Sequence, residues 1–523
     1  RRVGAAQYGV ALSRGVELMH RALTVDAQAR AGDATAAEDV ANAHNSFCRR
    51  AARWICERDA ALADLLPMLD MVMGEEAAEL YYYGASGELR RTFRMAWGGA
   101  QGCALTSAVF PLVLALALEM DPARCYAYQD DLVRRAELRT LAASRARLEG
   151  ALHAVALEMR PGKRHVVLPA GEHDRAAAAT LCAGARAEFV TTADTGGVRR
   201  SLGAPITTSA TFAAAAIADI TAGQRGLITE LERMAVLYPV EALRLLRTCG
   251  VRKSQHLLGL VAPELVRAPM EELDESVRRV AFSALAPELV DRAGLPMAAL
   301  GQMAALRVRT GRQLALPQEF GGGDLPSMAR LRHVAHVAAN ADTVPLLIDR
   351  LEDEDAYAPV VAELRRGARS PLPWAVALRE AHERVRSEFA ATLPEGIAAV
   401  VAATACPPVA PAGDRLGAPP PLERAARLRA AEPELPPELP GVSVICAGDD
   451  GSAGPGLLSA GARWLALFDF ATVWSLADDM SRARLGACAG QARAATPLHV
   501  PAASMAERHL GADLFRAVGR RWL

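Results

Sequence analysis

The chain has 523 residues, room for roughly two to four domains, and its 51% hydrophobic against 23% charged residues imply a sizeable folded core. A net charge of -1 excludes a global basic field as the basis of nucleic-acid binding and leaves only local patches for that role. Nine cysteines without a CxxC pair argue against a zinc finger and suit reduced thiols inside a cell, in nucleus or cytoplasm.

Read in chain order, the sequence opens on arginine rather than methionine and moves almost at once into a helical pattern over 14–27. A fragment lacking its first domain is the expectation. A short strand candidate at 35–40 is followed by a loop and a helix from about 46 onward. "ELYYYGASGELRRTFRMAW" sets an aromatic run before a Gly-Ala-Ser-Gly turn. "GGAQGCALTSAVFPLVLALALEM" reads as a glycine loop feeding an apolar helix, too short to span a bilayer. "RCYAYQDDLVRR" reads as strand, tight turn, strand. A helix fits 137–159 and a strand 164–168, with turn signals again at "RRSLGAPI". This alternation over 31–210 predicts an α+β or layered α/β domain.

Beyond 211 the pattern is mostly helical, divided by prolines such as Pro239 and Pro263, and helices continue over 301–405. Residues 406–441 are Pro- and Ala-rich and read as a flexible linker before a small mixed region at 442–523. The basic residues are nearly all arginine, since Lys163 and Lys253 are the only lysines.

Asp39 ends the weak strand, and Asp130 and Asp131 share the tight turn. If the strands are sheet neighbours, these carboxylates approach closely enough to need a divalent cation. Two Mg²⁺ ions about 4 Å apart suit phosphoryl or nucleotidyl transfer. The same residues are also read as a helix N-cap and a solvent-facing turn. Gly98, Gly99 and Gly102 permit close approach of a ligand to backbone, and Gln101 offers both a donor and an acceptor.

Taken in order, "EDVANAHNSFCRR", "GGAQGCALTSAVFPL", "YAYQDD", "LEMRPGKRHVVLP" and "LGAPI" resemble the palm motifs of the reverse transcriptase domain of non-long-terminal-repeat retrotransposons. "QYGVALSRGVELMHRAL" resembles the segment preceding that palm, and "LRLLRTCGVRKSQHLL" the first thumb helices. The resemblance covers about residues 5–345. It implies an antiparallel palm sheet with packed helices, followed by a mostly helical thumb and C-terminal region. The implied division is an entry helix or fingers remnant at 1–30, palm at 31–210, thumb at 211–300 and helical extension at 301–405.

By the same resemblance Asp39, Asp130 and Asp131 hold two Mg²⁺, or Mn²⁺, and Lys163 acts near the leaving pyrophosphate. Gln101 and Gly102 contact the template-primer or the incoming base pair. Leu202 and Gly203 lie near the primer backbone, and His44 stands where a ring selects deoxynucleotides. The implied partners are an RNA template, a DNA primer and deoxynucleoside triphosphates.

The sequence departs from the pattern in four ways. Most of the fingers subdomain is missing, Cys103-Ala104 replaces Asp-Pro, and Arg160 replaces Asn before Pro161. The strand before Asp39 lacks an apolar, β-branched run, which predicts weak anchoring of Asp39. Little or no polymerase activity is therefore expected of the chain. A non-catalytic nucleic-acid-binding remnant is one alternative. An Ala-rich helical scaffold is the other, and it requires Asp39 and Asp130 to lie far apart.

Overall fold

The computed structural model describes residues 6–9, 14–74, 79–100, 102–119, 121–160, 163–169, 174–182, 190–191, 201–207, 210–285, 312, 314–315 and 323–389. The linker at 406–441, the region at 442–523 and the first residues of the chain lie outside them. The chain divides into two compact units, one holding 1–212 with 346–365 and the other 213–345 with 366–523. The described fold is mixed α+β.

The first unit is built on a five-stranded sheet. In chain order its strands are β1 (Ala34–Asp39), β4 (Arg124–Tyr128), β5 (Asp131–Ala136), β6 (His165–Leu168) and β7 (Val190–Thr191). The separate hairpin of β2 (Glu79–Tyr83) and β3 (Leu89–Arg94) accounts for the gap in numbering. The sheet order is β4-β5-β1-β6-β7, antiparallel except for the parallel pair β6 and β7. Its helices are α1 (Gly15–Ala29), α2 (Ala43–Ser46), α3 (Arg49–Arg58), α4 (Leu66–Met73), α5 (Ala104–Leu118), α6 (Leu138–Ala154) and α7 (Arg175–Cys182).

The apolar run from 109 to 118 becomes the buried part of α5, with Val109, Phe110, Val113 and Leu114 in the core alongside Phe47 and Leu148. The helix expected over 137–159 stops at Ala154, where Ala156 takes a positive φ and the chain turns back toward β1. There Ala41 N–H donates to Glu158 O at 2.8 Å.

β1 corrects the expectation of weak anchoring. Its sequence, ATAAED, has no large apolar residue, yet it lies at the centre of the sheet between β5 and β6. Small alanines let the flanking elements close in, and charge pairs supply the fixing that bulk would otherwise give. On one face Arg134 is fully buried and grips Glu38 with two parallel bonds of 2.7 and 3.1 Å. Its remaining nitrogen reaches Asp121 at 2.8 Å and Ser144 at 3.1 Å, and Arg164 adds a second cation 2.9 Å from Glu38. On the other face Asp26 of α1 accepts from Arg124 at 3.1 Å and from Arg135 at 3.0 Å. Arg124 also bonds Asp33, and Arg135 bonds Thr35 of β1 itself. Burial opposes the charge on Arg124 and Arg134, but the neighbouring carboxylates outweigh it and hold both guanidinium groups more firmly protonated.

β4 is a sheet edge, and residues far along the chain cover it. Tyr357 Oη donates to Cys125 O at 2.7 Å and accepts from Cys125 N–H at 3.1 Å, occupying both edge groups of that residue.

The second unit is helical. Its described elements include α8 (Ala210–Leu237), α9 (Pro239–Leu245), a π-helical turn at Leu246–Val251, α10 (Gln255–Leu260), α11 (Pro263–Leu285) and α12 (Met328–Leu351). Pro263 opens α11, whereas Pro269 lies within it. Asp274 on α11 caps α12, accepting from Met328 N–H at 2.9 Å and Ala329 N–H at 3.1 Å.

The ion pairs of β1 make a clear prediction. Glu38→Ala leaves Arg134 and Arg164 buried without their shared carboxylate and is expected to cost about 3–5 kcal/mol. Asp70→Ala breaks the exposed pair with Arg53 and is expected to change stability little. Urea unfolding of the two variants checks the contrast.

Candidate functional site

The register of β1 on β5 sets Asp39 directly opposite Asp131. Cross-strand partners share a face, so both carboxylates belong to the face opposite Glu38 and Arg134. The turn between β4 and β5 consists of Gln129 and Asp130, with Gln129 in the left-handed region at φ 56°. Val40 N–H donates to Asp130 O at 3.2 Å, tying the turn to the residue after Asp39. The structure therefore brings Asp39 and Asp131 together on one sheet face, with Asp130 in the turn at that end. The wide separation that the scaffold reading required is not found.

On the other side of β1, Val40 bridges Met159, and Arg160 N–H donates to Asp39 O at 2.8 Å. This pairing delivers two cations to Asp39. Lys163 Nζ lies 3.1 Å from Asp39 Oδ2, and Arg160 Nη1 lies 3.5 Å from the same oxygen. Arg160, read from sequence only as a departure from the family pattern, is thus a partner of the first carboxylate. A basic residue three positions before Lys163, on a segment returning to β1, was the available signal.

Among the described residues Asp131 has no such ion pair of its own. Partial burial of its carboxyl, then the charges of Asp130 and Asp39, raise its pKa above the ordinary aspartate value, while Lys163 pulls the other way. The donor set is entirely carboxylate oxygen, which suits a hard divalent cation such as Mg²⁺ or Mn²⁺. Among the described residues no three acidic, histidine or cysteine side chains already converge as a metal cage. Asp39 is turned to Lys163 and Arg160.

The glycine loop sits against the turn that follows Asp39. Gly99 N–H donates to His44 O at 2.7 Å, and Gly98 N–H to Phe47 O at 2.8 Å. A Cβ on Gly98 would run into the backbone of His44 and Asn45, and Gly98 also has a positive φ of 53°. Those two glycines are therefore explained by packing. Gly102, exposed at φ 89° with nothing near its Cβ position, has no such explanation. Gln101 lies outside the described residues.

His44 is half-buried on α2, its ring 5.0 Å from that of Phe110. Leu202 and Gly203 both take positive φ in a tight turn closed by reciprocal 3.0 Å bonds between Ser201 and Ala204. His20 on α1 lies 3.1 Å from Pro205 O and anchors that turn. Neither Leu202 nor Gly203 is hydrogen-bonded to the aspartates.

The raised pKa of Asp131 sets a pH signature. Below the unfolded-state aspartate pKa the group is protonated in both states and its favourable contribution is complete. That contribution is lost as pH rises through the folded-state value. Asp131→Asn is therefore expected to melt above the parent at neutral pH in chelator, with the gap closing as pH falls into the ordinary carboxylate range. Thermal melts across pH check this. The sequence matches no protein-family model and no curated protein.

Proposed function

We propose that the first unit is the palm of a reverse transcriptase, an RNA-directed DNA polymerase of the retrotransposon type. The observation that carries this reading is the cross-strand placement of Asp39 on Asp131, with Asp130 in the connecting turn. Two Mg²⁺ or Mn²⁺ ions bound by the three aspartates would supply an activated primer 3′-hydroxyl and charge stabilisation at the leaving pyrophosphate.

The chain's own residues perform the rest of the work. Asp39, on the centre strand, and Asp130, in the turn, hold the carboxylate oxygens where the α-phosphate of a deoxynucleoside triphosphate must lie. Lys163, whose side chain is 57% exposed, would be free to reach the departing phosphates if a divalent cation held Asp39 in its place. The His44 ring, resting on Phe110, crowds a ribose 2′-hydroxyl. Gly102, free of Cβ, lets the templating base pair approach the backbone, with Gln101 beside it. Leu202 and Gly203 present a tight turn to the primer.

A second reading, a nucleic-acid-binding remnant of the same fold without catalysis, is favoured by one observation. Arg160 and Lys163 already neutralise Asp39, so a metal must compete with both.

Extension of a DNA primer on an RNA template separates the two. Slow, divalent-ion-dependent extension is expected, with Asp39→Asn and Asp130→Asn each lowering it by about 100-fold or more. Salt-sensitive hybrid binding with no extension in either Mg²⁺ or Mn²⁺ would establish the remnant instead. No helix among the described residues is long and apolar enough to cross a membrane.

A further inference from the structure

The segment at 6–9 precedes the β4–β5 turn by more than a hundred residues yet lies against it. Ala127 N–H donates to Ala6 O and Tyr8 N–H to Ala127 O, each at 2.7 Å, so the segment forms a short parallel edge beside β4. This places the buried carboxamide of Gln7 at the backbone of Gln129. Gln7 Oε1 accepts from Gln129 N–H and from Gly9 N–H, both at 2.9 Å. Gln7 Nε2 donates to Gln129 O at 3.3 Å. Gln129 answers with its own side chain, whose Nε2 donates to Gly9 O at 2.8 Å.

Gln129 needs such support, because an L-residue with a side chain of this kind is strained in the left-handed region. Gly9 must stay glycine, since a Cβ there would lie 2.6 Å from Gln129 N. The clamp is itself held from behind. Arg350 Nη2 donates to Gln7 O at 2.5 Å, and its guanidinium lies 5.0 Å over the Tyr8 ring.

We propose that Gln7 is a positioning residue that locks Gln129 in the left-handed conformation and so aims Asp130 and Asp131 at Asp39. A carboxamide fits this role because it offers an acceptor and a donor side by side, matching the N–H and C=O of one backbone residue. A carboxylate satisfies only the N–H groups, and an apolar side chain satisfies neither. The link to metal binding rests on the polymerase reading above; the clamp on the turn does not.

The test uses the full chain and Gln7→Met, which keeps length and removes the bonds. Two measurements are made, hydrogen exchange of the peptide spanning 124–136 and Mn²⁺ binding by electron paramagnetic resonance. Exchange at least tenfold faster over 124–136 and Mn²⁺ binding at least tenfold weaker are expected in a chain that still unfolds cooperatively. Adding Gln129→Gly is expected to restore much of the affinity, because glycine takes the positive φ unaided. Unchanged exchange and unchanged affinity in Gln7→Met would overturn the proposal. So would a loss of affinity that Gln129→Gly leaves untouched, since that marks general damage. If Gln7→Met does not fold, Gln7→Glu replaces it with the same expected directions and the same overturning result. If the parent shows no Mn²⁺ binding that Asp130→Asn removes, the polymerase reading fails, and exchange over 124–136 alone then decides the clamp.

Discussion

The bidentate pair between Arg134 and Glu38 is the constraint on which the first unit turns. It joins β5 to β1 on the face that also packs α6, and it does so through two buried charges. Removing either partner strands the other in a medium that solvates charge poorly. The pair also fixes phase. Side chains alternate along a strand, so holding Glu38 inward on one face obliges Asp39 to point out of the other. A slip of one residue would send Asp39 to the face of Arg134 and take Glu38 away from it. The geometry of the acidic site is thus decided one residue earlier, by an ion pair that takes no part in it.

The legibility of the chain follows from the kind of force that holds each part. α5 was readable because its apolar run is long and flanked by glycine. The β4–β5 hairpin was readable because apolar residues bracket a polar turn. β1 was harder. Its burial comes from alanine, and its fixing comes from arginines roughly a hundred positions away in sequence. Arginine is rarely found fully inside, so nothing local marks Arg134 as a core residue. At the site, the sequence expected the carboxylates to approach only if their strands were neighbours, and β1 does pair with β5 so that Asp39 faces Asp131. What the order of the motifs could not convey was that Arg160 shares Asp39 with Lys163, or that Gln7 supports Gln129. Both depend on long-range pairing that only the folded sheet creates.

The near-neutral total charge conceals a division between two kinds of carboxylate. Asp26, Asp33, Glu38 and Asp121 are matched by Arg124, Arg134, Arg135 and Arg164, all buried. Arginine suits this work because its planar fork spreads charge over several bonds and stays protonated when buried. These pairs cannot exchange partners without opening the core. Their role is to hold strands.

The carboxylates at the other end of β1 obey a different rule. Asp39 meets two cations, and both reach the same one of its oxygens. Those cations are substantially exposed, so leaving Asp39 returns them to water at little cost, whereas Arg134 has no water to return to. Asp131 is held less firmly: partial burial of its carboxyl first, and then the charges of Asp130 and Asp39, raise its pKa. A fold selected only for stability gains nothing from such an end. On the proposed reading, a divalent cation would gain most there, because it would relieve the repulsion among the carboxylates while displacing only surface partners. The contrast between immovable arginines at the core and replaceable cations at Asp39 is what supports reading the acidic end as a site, as proposed, rather than as one more brace of the sheet.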